Sequence, residues 1–344
     1  MDKNTELKQR TVKRAVITGP TGVVGSALVR ECAENGMDLY LLLRRGSERN
    51  ACLLKEAAAL TGAAPEEDGA DVLFRGEEGR PSIRISYCAL HELKDLPSRE
   101  EAAYDVFFHL GWSGTKGADR FDPYIHTANV GYALDAAALA ARLGCHTFVG
   151  AGSQAECGRT DEKLTPRTLP RPENAYGIGK LAACHMTREY AHALGLRHVW
   201  TRILSVYGPN DGEKTLITYL IRSLLGGECP KATKGEQIWD YLYSVDAARA
   251  LRLIGERGRD GGIYLVASGK ERRLSDYMAE LLSEVAPGGS IDLGAVPYGE
   301  RQVMHLAADI TETTRDTGFV PEISFAEGVR RMAEEMRASI KQDT

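Results

Sequence analysis

Tyr176 and Lys180 stand four positions apart in the run Ala175-Tyr176-Gly177-Ile178-Gly179-Lys180, and a helix there sets both side chains on one face. The pairing suits proton transfer. A tyrosine hydroxyl ionises near pH 10, too high for an efficient shuttle at neutral pH. Lowering that by about 3 units takes roughly 4 kcal/mol of preferential stabilisation of the phenolate. A nearby ammonium acts in that direction. Upstream, residues 149–158 read VGAGSQAECG after the apolar stretch His146-Thr147-Phe148-Val149. Small residues in that place imply a tight turn or close approach by a ligand. Ser153 could hydrogen-bond the oxygen of a reacting carbonyl or alcohol and hold its carbon for attack. Each residue alone has an ordinary explanation: a structural tyrosine at a helix start, a solvated lysine, a serine filling a turn.

A partner for this chemistry is written near the N-terminus. The apolar run Ala15-Val16-Ile17 leads into Thr18-Gly19-Pro20-Thr21-Gly22-Val23-Val24-Gly25, a T-G-x-x-G-x-x-G pattern opening a helix. The first glycine permits the turn, the second lets the backbone approach a pyrophosphate, and the third lets helix pack on strand. The helix N-terminus then faces the phosphates. Strand before and helix after are the context that separates a dinucleotide site from a chance glycine pattern. Gly19, Thr21, Gly22, Val23, Val24 and Gly25 are the expected contacts. A cationic nicotinamide ring would join Lys180 in favouring the Tyr176 phenolate, and Lys180 could also bond the ribose hydroxyls.

An NAD site commonly places Asp or Glu about 20 residues further on. Here Arg44-Arg45-Gly46-Ser47 holds that place. A carboxylate repels a 2′-phosphate and an arginine pair clasps it. The sequence therefore favours NADP(H) over NAD(H), with Arg44, Arg45 and Ser47 as contacts. Two solvated arginines at a strand end would read the same way.

The elements that must position these residues alternate. Short apolar runs at 15–17, 39–43, 83–87, 106–110 and 147–149 are separated by helical stretches, notably 26–35, closed by Gly36, and the Ala-rich 129–143. Buried strands alternating with helices imply an α/β fold with a Rossmann-type, doubly wound parallel sheet. Residues 61–80 are acidic and Gly-rich and read as a surface insertion. After Leu204 the alternation becomes irregular, as expected of a smaller C-terminal substrate-binding lobe. The division expected is 12–204 plus about 239–267 for the dinucleotide domain, and 205–238 plus 268–335 for the lobe. With 344 residues, 43% hydrophobic, 26% charged and a formal net charge of -5, nothing points to nucleic acid or an anionic membrane. The charged N-terminus is no signal peptide, and no window reads as a spanning helix. Seven cysteines at scattered positions form no disulfide framework. Cys145, Cys157 and Cys184 read as core thiols, and the expected location is the cytoplasm.

These motifs, in this order, resemble the extended short-chain dehydrogenase/reductase family of nucleotide-sugar epimerases, dehydratases and reductases. The resemblance spans about residues 13–330. It includes HLGW at 109–112, Asn129-Val130, TRILSVYGP at 201–209, WDYLYSVDAARA at 239–250 and ADITETTRDTGFVP at 308–321. It implies hydride exchange with a nicotinamide, with Ser153, Tyr176 and Lys180 as the catalytic set. It adds Leu110, Gly111, Trp112 and Asn129 as cofactor contacts. Substrate contacts are expected from Ser113, Gln154, Ser205, Trp239 and Arg301. The resemblance also implies a homodimer through the helices after Asn129 and Tyr176, and the Ala-rich 133–141 face fits such packing or an ordinary core.

Three departures narrow the reading. The family's 4,6-dehydratases carry Asp-Glu directly after the serine position, and this chain has Gln154-Ala155. Neither transfers protons, and Glu156 is one residue too far along. An Asn usual in the LSVYGP motif is Ser205, and an Arg usual before Asp, against the diphosphate, is Trp239. Arg301, or Arg272 and Arg273, could supply the missing cation, and Trp239 could stack on a ring or simply pack. The sequence thus favours NADPH-linked reduction of a nucleotide-linked 4-keto-6-deoxy sugar. The alternatives are a 4-epimerase with retained cofactor and a non-catalytic cofactor-binding sensor. A serine hydrolase elbow would need glycines where Ala151 and Ala155 stand. HELKD at 91–95 lacks the second histidine of a zinc helix.

Overall fold

The computed structural model describes residues 12–77, 79–98 and 103–342. Its centre is a nine-stranded sheet. Strands β1 (Arg14–Thr18), β2 (Asp38–Leu43), β3 (Glu66–Asp68), β4 (Asp71–Phe74), β5 (Ile83–Tyr87), β6 (Val106–His109), β7 (Thr147–Ser153) and β8 (Arg197–Ile203) join the strand Gly262–Val266. From one edge the order is Gly262–Val266, β8, β7, β6, β1, β2, β5, β4, β3. The first seven run parallel, and β4 and β3 are antiparallel. Continuous apolar runs suit these inner strands because both faces are covered. Val106-Phe107-Phe108-His109 is buried at every position.

Helices α1 (Val23–Glu34), α2 (Asn50–Thr61) and α6 (Ser244–Arg257) cover one face, where Leu28, Val29, Leu53, Leu251 and Ile254 join one apolar cluster. Helices α3 (Pro123–Arg142) and α4 (Ala175–Ala193) cover the other, through Ala136, Ala137, Ala140 and Ala191. The Ala-rich face of α3 is thus core rather than exposed surface. A further cluster gathers α5 (Leu216–Leu225), α7 (Leu274–Val285) and α9 (Phe325–Gln342) around Leu220, Met278, Leu281 and Val329. Helix α8 (Thr311–Thr317) returns to the strand Gly262–Val266, with Thr313 donating to the Leu265 carbonyl.

Two expectations change. Segment 61–80 is not a bare insertion. It folds β3 and β4 back as a hairpin, and β4 pairs with β5, burying Leu73 and Phe74. The apolar Val-Leu-Phe within an acidic stretch supplies β4, and the acidic β3 forms the edge. Helix α3 begins at Pro123, six residues before Asn129, because Asp122 caps it by accepting from the Tyr124 and Ile125 amides. No helix among the described residues is long and apolar enough to cross a membrane.

Chain order reverses between β1 and β6, which are neighbours. In such sheets ligands bind in the crevice outside the strand ends at that switch point. Thr18 closes β1 there and His109 closes β6.

Candidate active site

The glycine loop sits in this crevice. Gly19 has φ +69, and a Cβ on it would lie 2.9 Å from the Gly111 amide nitrogen. A Cβ on Gly25 would lie 2.1 Å from the Gly19 carbonyl oxygen. These two glycines let the loop close on itself and on the end of β6. Gly22 differs: a Cβ there would meet nothing nearer than 3.9 Å, so its side is open. It is the N-cap of α1, with no side chain capping the first turn, and those amides suit an anion. Thr18 ties loop to strand, its Oγ1 accepting from the Leu110 and Gly111 amides at 3.1 Å each. Its hydroxyl also bonds His109 Nδ1 at 3.0 Å. Thr21, Val23 and Val24 are half-buried along the loop. The donor set and the tight, side-chain-free turn fit the pyrophosphate of a dinucleotide.

Arg44 and Arg45 are exposed past the end of β2, and Ser47 is half-buried. Neither arginine pairs with a carboxylate among the described residues. Arg45 lies 5.8 Å from the Tyr87 ring centre, and Asn50 donates to the Arg44 carbonyl at 3.0 Å. Arg49, which the sequence did not single out, donates to the Thr21 carbonyl at 3.4 Å. It brings a third cation beside the loop.

Strand β7 runs through Ser153, four residues beyond the apolar run, and is buried throughout. The small residues of VGAGS have a cause the sequence did not reveal. A Cβ on Gly150 or Gly152 would lie 2.2 or 2.1 Å from the Trp200 indole. They house Trp200 from β8, not a ligand. Ser153 accepts from the Ala155 amide at 3.2 Å, and its side chain is among the groups that pull the Tyr176 pKa down. Two glycines bring Tyr176 to it. A Cβ on Gly177 would lie 2.3 Å from the Ala155 carbonyl oxygen, and one on Gly179 would lie 2.9 Å from His126 Cβ. Tyr176 and Lys180 share the inner face of α4, both buried.

Lys180 donates to the Ala151 carbonyl at 2.6 Å and lies 3.8 Å from the Trp112 ring centre. Burial lowers its pKa to about 7, with Glu156 acting the other way. The Tyr176 hydroxyl is held above its usual value by burial, while Ser153 and Arg120 pull it down and Glu156 pushes it up. The lowering expected from Lys180 is thus not supplied by the protein alone, because the ammonium faces Ala151.

Gln154 is half-buried and Ala155 buried. Glu156 is fully buried, and its Oε1 accepts from the Ser153 amide at 2.8 Å and from Trp200 Nε1 at 3.0 Å. Its Oε2 accepts from Arg202 at 3.0 Å. The carboxylate turns into the core, away from the mouth of the site.

Leu110, Gly111 and Trp112 follow β6 into the crevice. Asn129 is buried, accepting from the Ser113 amide at 3.0 Å and donating to the Ser113 carbonyl at 2.9 Å. Both ends of its amide are thus taken up in holding this loop. The Ser113 residue itself is exposed.

The structure joins two residues the sequence treated separately. Trp239 donates from its indole to Ser205 Oγ at 2.8 Å. Both positions lie beside Tyr241, and Trp239 lines a cavity of about 330 Å³ with Tyr219, Tyr241, Lys214, Lys231 and Gln302. Arg272 pairs with Glu280 and stacks on Tyr277, so it is spoken for. Arg273 and Arg301 are exposed, Arg301 next to Gln302. Lys214 and Lys231 were missed because nothing in their local sequence marks them. A larger cavity of about 460 Å³ lies against α1 and α9, between Arg30, Lys55 and Glu335. None of the expected catalytic, cofactor or substrate contacts lines it, although Pro209 and Tyr243, Ser244 and Val245 belong to motifs named above. No cluster of metal-ligating side chains occurs among the described residues.

The parallel sheet, with the glycine loop at its switch point, is the Rossmann-type architecture of the extended short-chain dehydrogenase/reductase class. The chain belongs to the NAD dependent epimerase/dehydratase family, which matches residues 15–267. It is similar to a dTDP-glucose 4,6-dehydratase of Salmonella typhimurium, 29% identical over 178 residues, 50% of this chain and 49% of that protein. The match spans about half the length of that relative. A dTDP-glucose 4,6-dehydratase of Escherichia coli is 26% identical over 92% of both chains. Among solved structures, a UDP-glucose 4-epimerase of Thermotoga maritima with UDP-glucose superimposes with a TM-score of 0.77 at 19% identity. That match covers 95% of this chain and 99% of that one, and it speaks for the fold.

Proposed function

We propose that this protein reduces a nucleotide-linked 4-keto-6-deoxy sugar, drawing on NADPH. One observation carries the reading: Ser153, Tyr176 and Lys180 converge at the end of β7 while no free acid-base pair follows Ser153. A nicotinamide bound in the crevice supplies the hydride. Ser153 holds the carbonyl oxygen by a hydrogen bond, and Tyr176 gives its proton to that oxygen as the carbon becomes tetrahedral. Ser153 accepts a hydrogen bond from the Ala155 amide, which frees its own hydroxyl proton for the substrate or for Tyr176.

Loss of water needs one group to take a proton and another to give one. Gln154 and Ala155 do neither, and Glu156 is committed to Arg202, Trp200 and the Ser153 amide. This argues for reduction although the named relatives are dehydratases. Arg44 and Arg45, exposed and without a carboxylate partner among the described residues, favour a 2′-phosphate. The cavity beside Trp239 suits the nucleotide, its aromatic walls taking the base and Lys214 and Lys231 the diphosphate. We assign residues 12–204 and 239–267 to the dinucleotide domain and 205–238 and 268–335 to the sugar lobe; the cluster around Leu28 and Leu251 and that around Leu220 and Met278 support two cores, although Phe319 packs with the first and Tyr243 with the second. A homodimer through α3 and α4 is supported by exposed Tyr124, Ile178 and Met186, at 86%, 55% and 49%.

The test is a panel of nucleotide sugars and their 4-keto derivatives with NADPH or NADH, following cofactor absorbance and product identity. Stoichiometric NADPH oxidation with a 4-keto substrate supports the proposal. Isomerisation without net oxidation makes the protein an epimerase, and a 4-keto product from an unmodified sugar makes it a dehydratase.

A further inference from the structure

Two cations stand by the Tyr176 ring, and they are differently engaged. Lys180 gives its ammonium to the Ala151 carbonyl and the Trp112 face, and lies 5.9 Å from the Tyr176 ring centre. Arg120 comes from another element, the short turn Gly117–Phe121 between β6 and α3. Its guanidinium lies 4.2 Å from the Tyr176 ring centre. Its Nη1 donates to the Thr115 carbonyl at 3.1 Å, and no carboxylate pairs with it among the described residues.

The turn is held in place. His126 Nε2 donates to the carbonyl of Asp119, the neighbour of Arg120, at 3.0 Å, and Trp112 donates to His126 Nδ1 at 3.1 Å. A guanidinium keeps its charge throughout the range in which a tyrosine titrates. Over the ring face it meets the negative side of the π-system. Ionising the phenol adds negative charge to that ring, so the contact favours phenolate over phenol. The other groups facing Tyr176 do not replace it. Ser153 favours ionisation from the hydroxyl end, and buried Glu156 opposes it. Burial draws Lys180 toward neutrality. His126, 5.6 Å away on α3, is pushed toward its neutral form by burial.

We propose that Arg120 is a positioning residue for proton transfer, keeping a permanent positive charge over the Tyr176 ring while Lys180 serves the end of β7. The inference rests on the preceding reading only in taking Tyr176 as the proton donor.

The test compares Arg120→Met and Arg120→Lys with the wild type, each with NADP⁺ bound and each against its own Tyr176→Phe counterpart. The ultraviolet difference absorbance between members of a pair, followed from neutral to alkaline pH, isolates phenolate formation at Tyr176. Arg120→Met should ionise Tyr176 about one pH unit higher, a tenfold loss in its ionisation constant. Arg120→Lys should recover part of that. Retained NADP⁺ affinity reports an intact fold, and Arg120→Gln carries the comparison where Arg120→Met does not bind it. An unmoved titration overturns the inference, as does the absence of any Tyr176 phenolate in the wild type. A raised KM for the sugar with an unmoved titration also overturns it and makes Arg120 a substrate contact. Failure of the sugar reading shows separately, as no turnover across the panel while the titration shift persists.

Discussion

Around Tyr176 the polar partners are sealed in, with Ser153, Lys180 and Glu156 exposing 8%, 4% and 0% of their surface. Around Trp239 they stay open: Ser205, Tyr241 and Gln302 are all half-buried, and Lys214 and Lys231 are exposed. The centre is also tied to backbone, through the Ala151 carbonyl and the Ser153 and Ala155 amides. The Trp239 pocket is tied mainly side chain to side chain, by the bond to Ser205. A buried group loses water on folding and must find its partners inside the protein. An exposed one can exchange them. Ser205 and Trp239, standing where the resemblance leads us to expect Asn and Arg, satisfy each other.

Substitutions at the sealed centre should therefore outweigh those at the open pocket. The largest effect is expected from Tyr176→Phe, which should lower turnover about 10²- to 10⁴-fold while cofactor affinity, read by fluorescence titration, stays within a few-fold. A non-catalytic sensor would show no such split. Glu156→Ala leaves Arg202 buried without its partner and should cost about 3–5 kcal/mol of stability in denaturant melts. A loss under 1 kcal/mol would mean that Arg202 reaches water, and the centre would not be sealed.

Lys180 gives the comparison a pH dependence. Its folded pKa of about 7 lies below the ordinary value of 10.5. Between those values the unfolded chain holds a proton on this lysine that the folded chain has released. This group therefore makes stability rise with pH across that window, by up to about 1.4 kcal/mol per unit. Lys180→Met should lack that rise, and parallel curves for the two proteins would refute it. Changing Arg44 and Arg45 together to Ala should weaken NADPH about tenfold and leave NADH unchanged. Equal losses for both cofactors would remove the 2′-phosphate argument. The smallest effect is expected at the pocket: Ser205→Ala removes one half-exposed hydrogen bond, about 1 kcal/mol, and should raise the sugar KM a few-fold without moving turnover. A collapse of turnover there would break the comparison outright.

How much could be read from residues alone differs along the chain. The glycine loop was legible because strand, turn and helix follow one another within Arg14–Glu34, and a left-handed Gly19 and a crowded Gly25 are demands the backbone makes locally. The Tyr176/Lys180 pair was legible from helical spacing. The edge hairpin was not, because three apolar residues in an acidic stretch do not announce a partner strand. Gly150 and Gly152 stood in a run read as a tight turn or a close approach by a ligand, and only the packed sheet shows that Trp200, fifty residues on, fills the space beside them.

The sequence by itself determined the α/β alternation, the glycine loop between strand and helix and the placing of Tyr176 and Lys180 on one helix face, because each is written in periodicity or in adjacent residues. Tertiary structure alone decided which groups meet. Glu156 finds Arg202 across 46 positions and Trp239 finds Ser205 across 34. Arg120 comes to rest over Tyr176 from a turn on another element. Such contacts depend on which strands become neighbours and how closely helices approach them. That is settled by burying apolar surface over the whole sheet, and no short stretch of sequence records it.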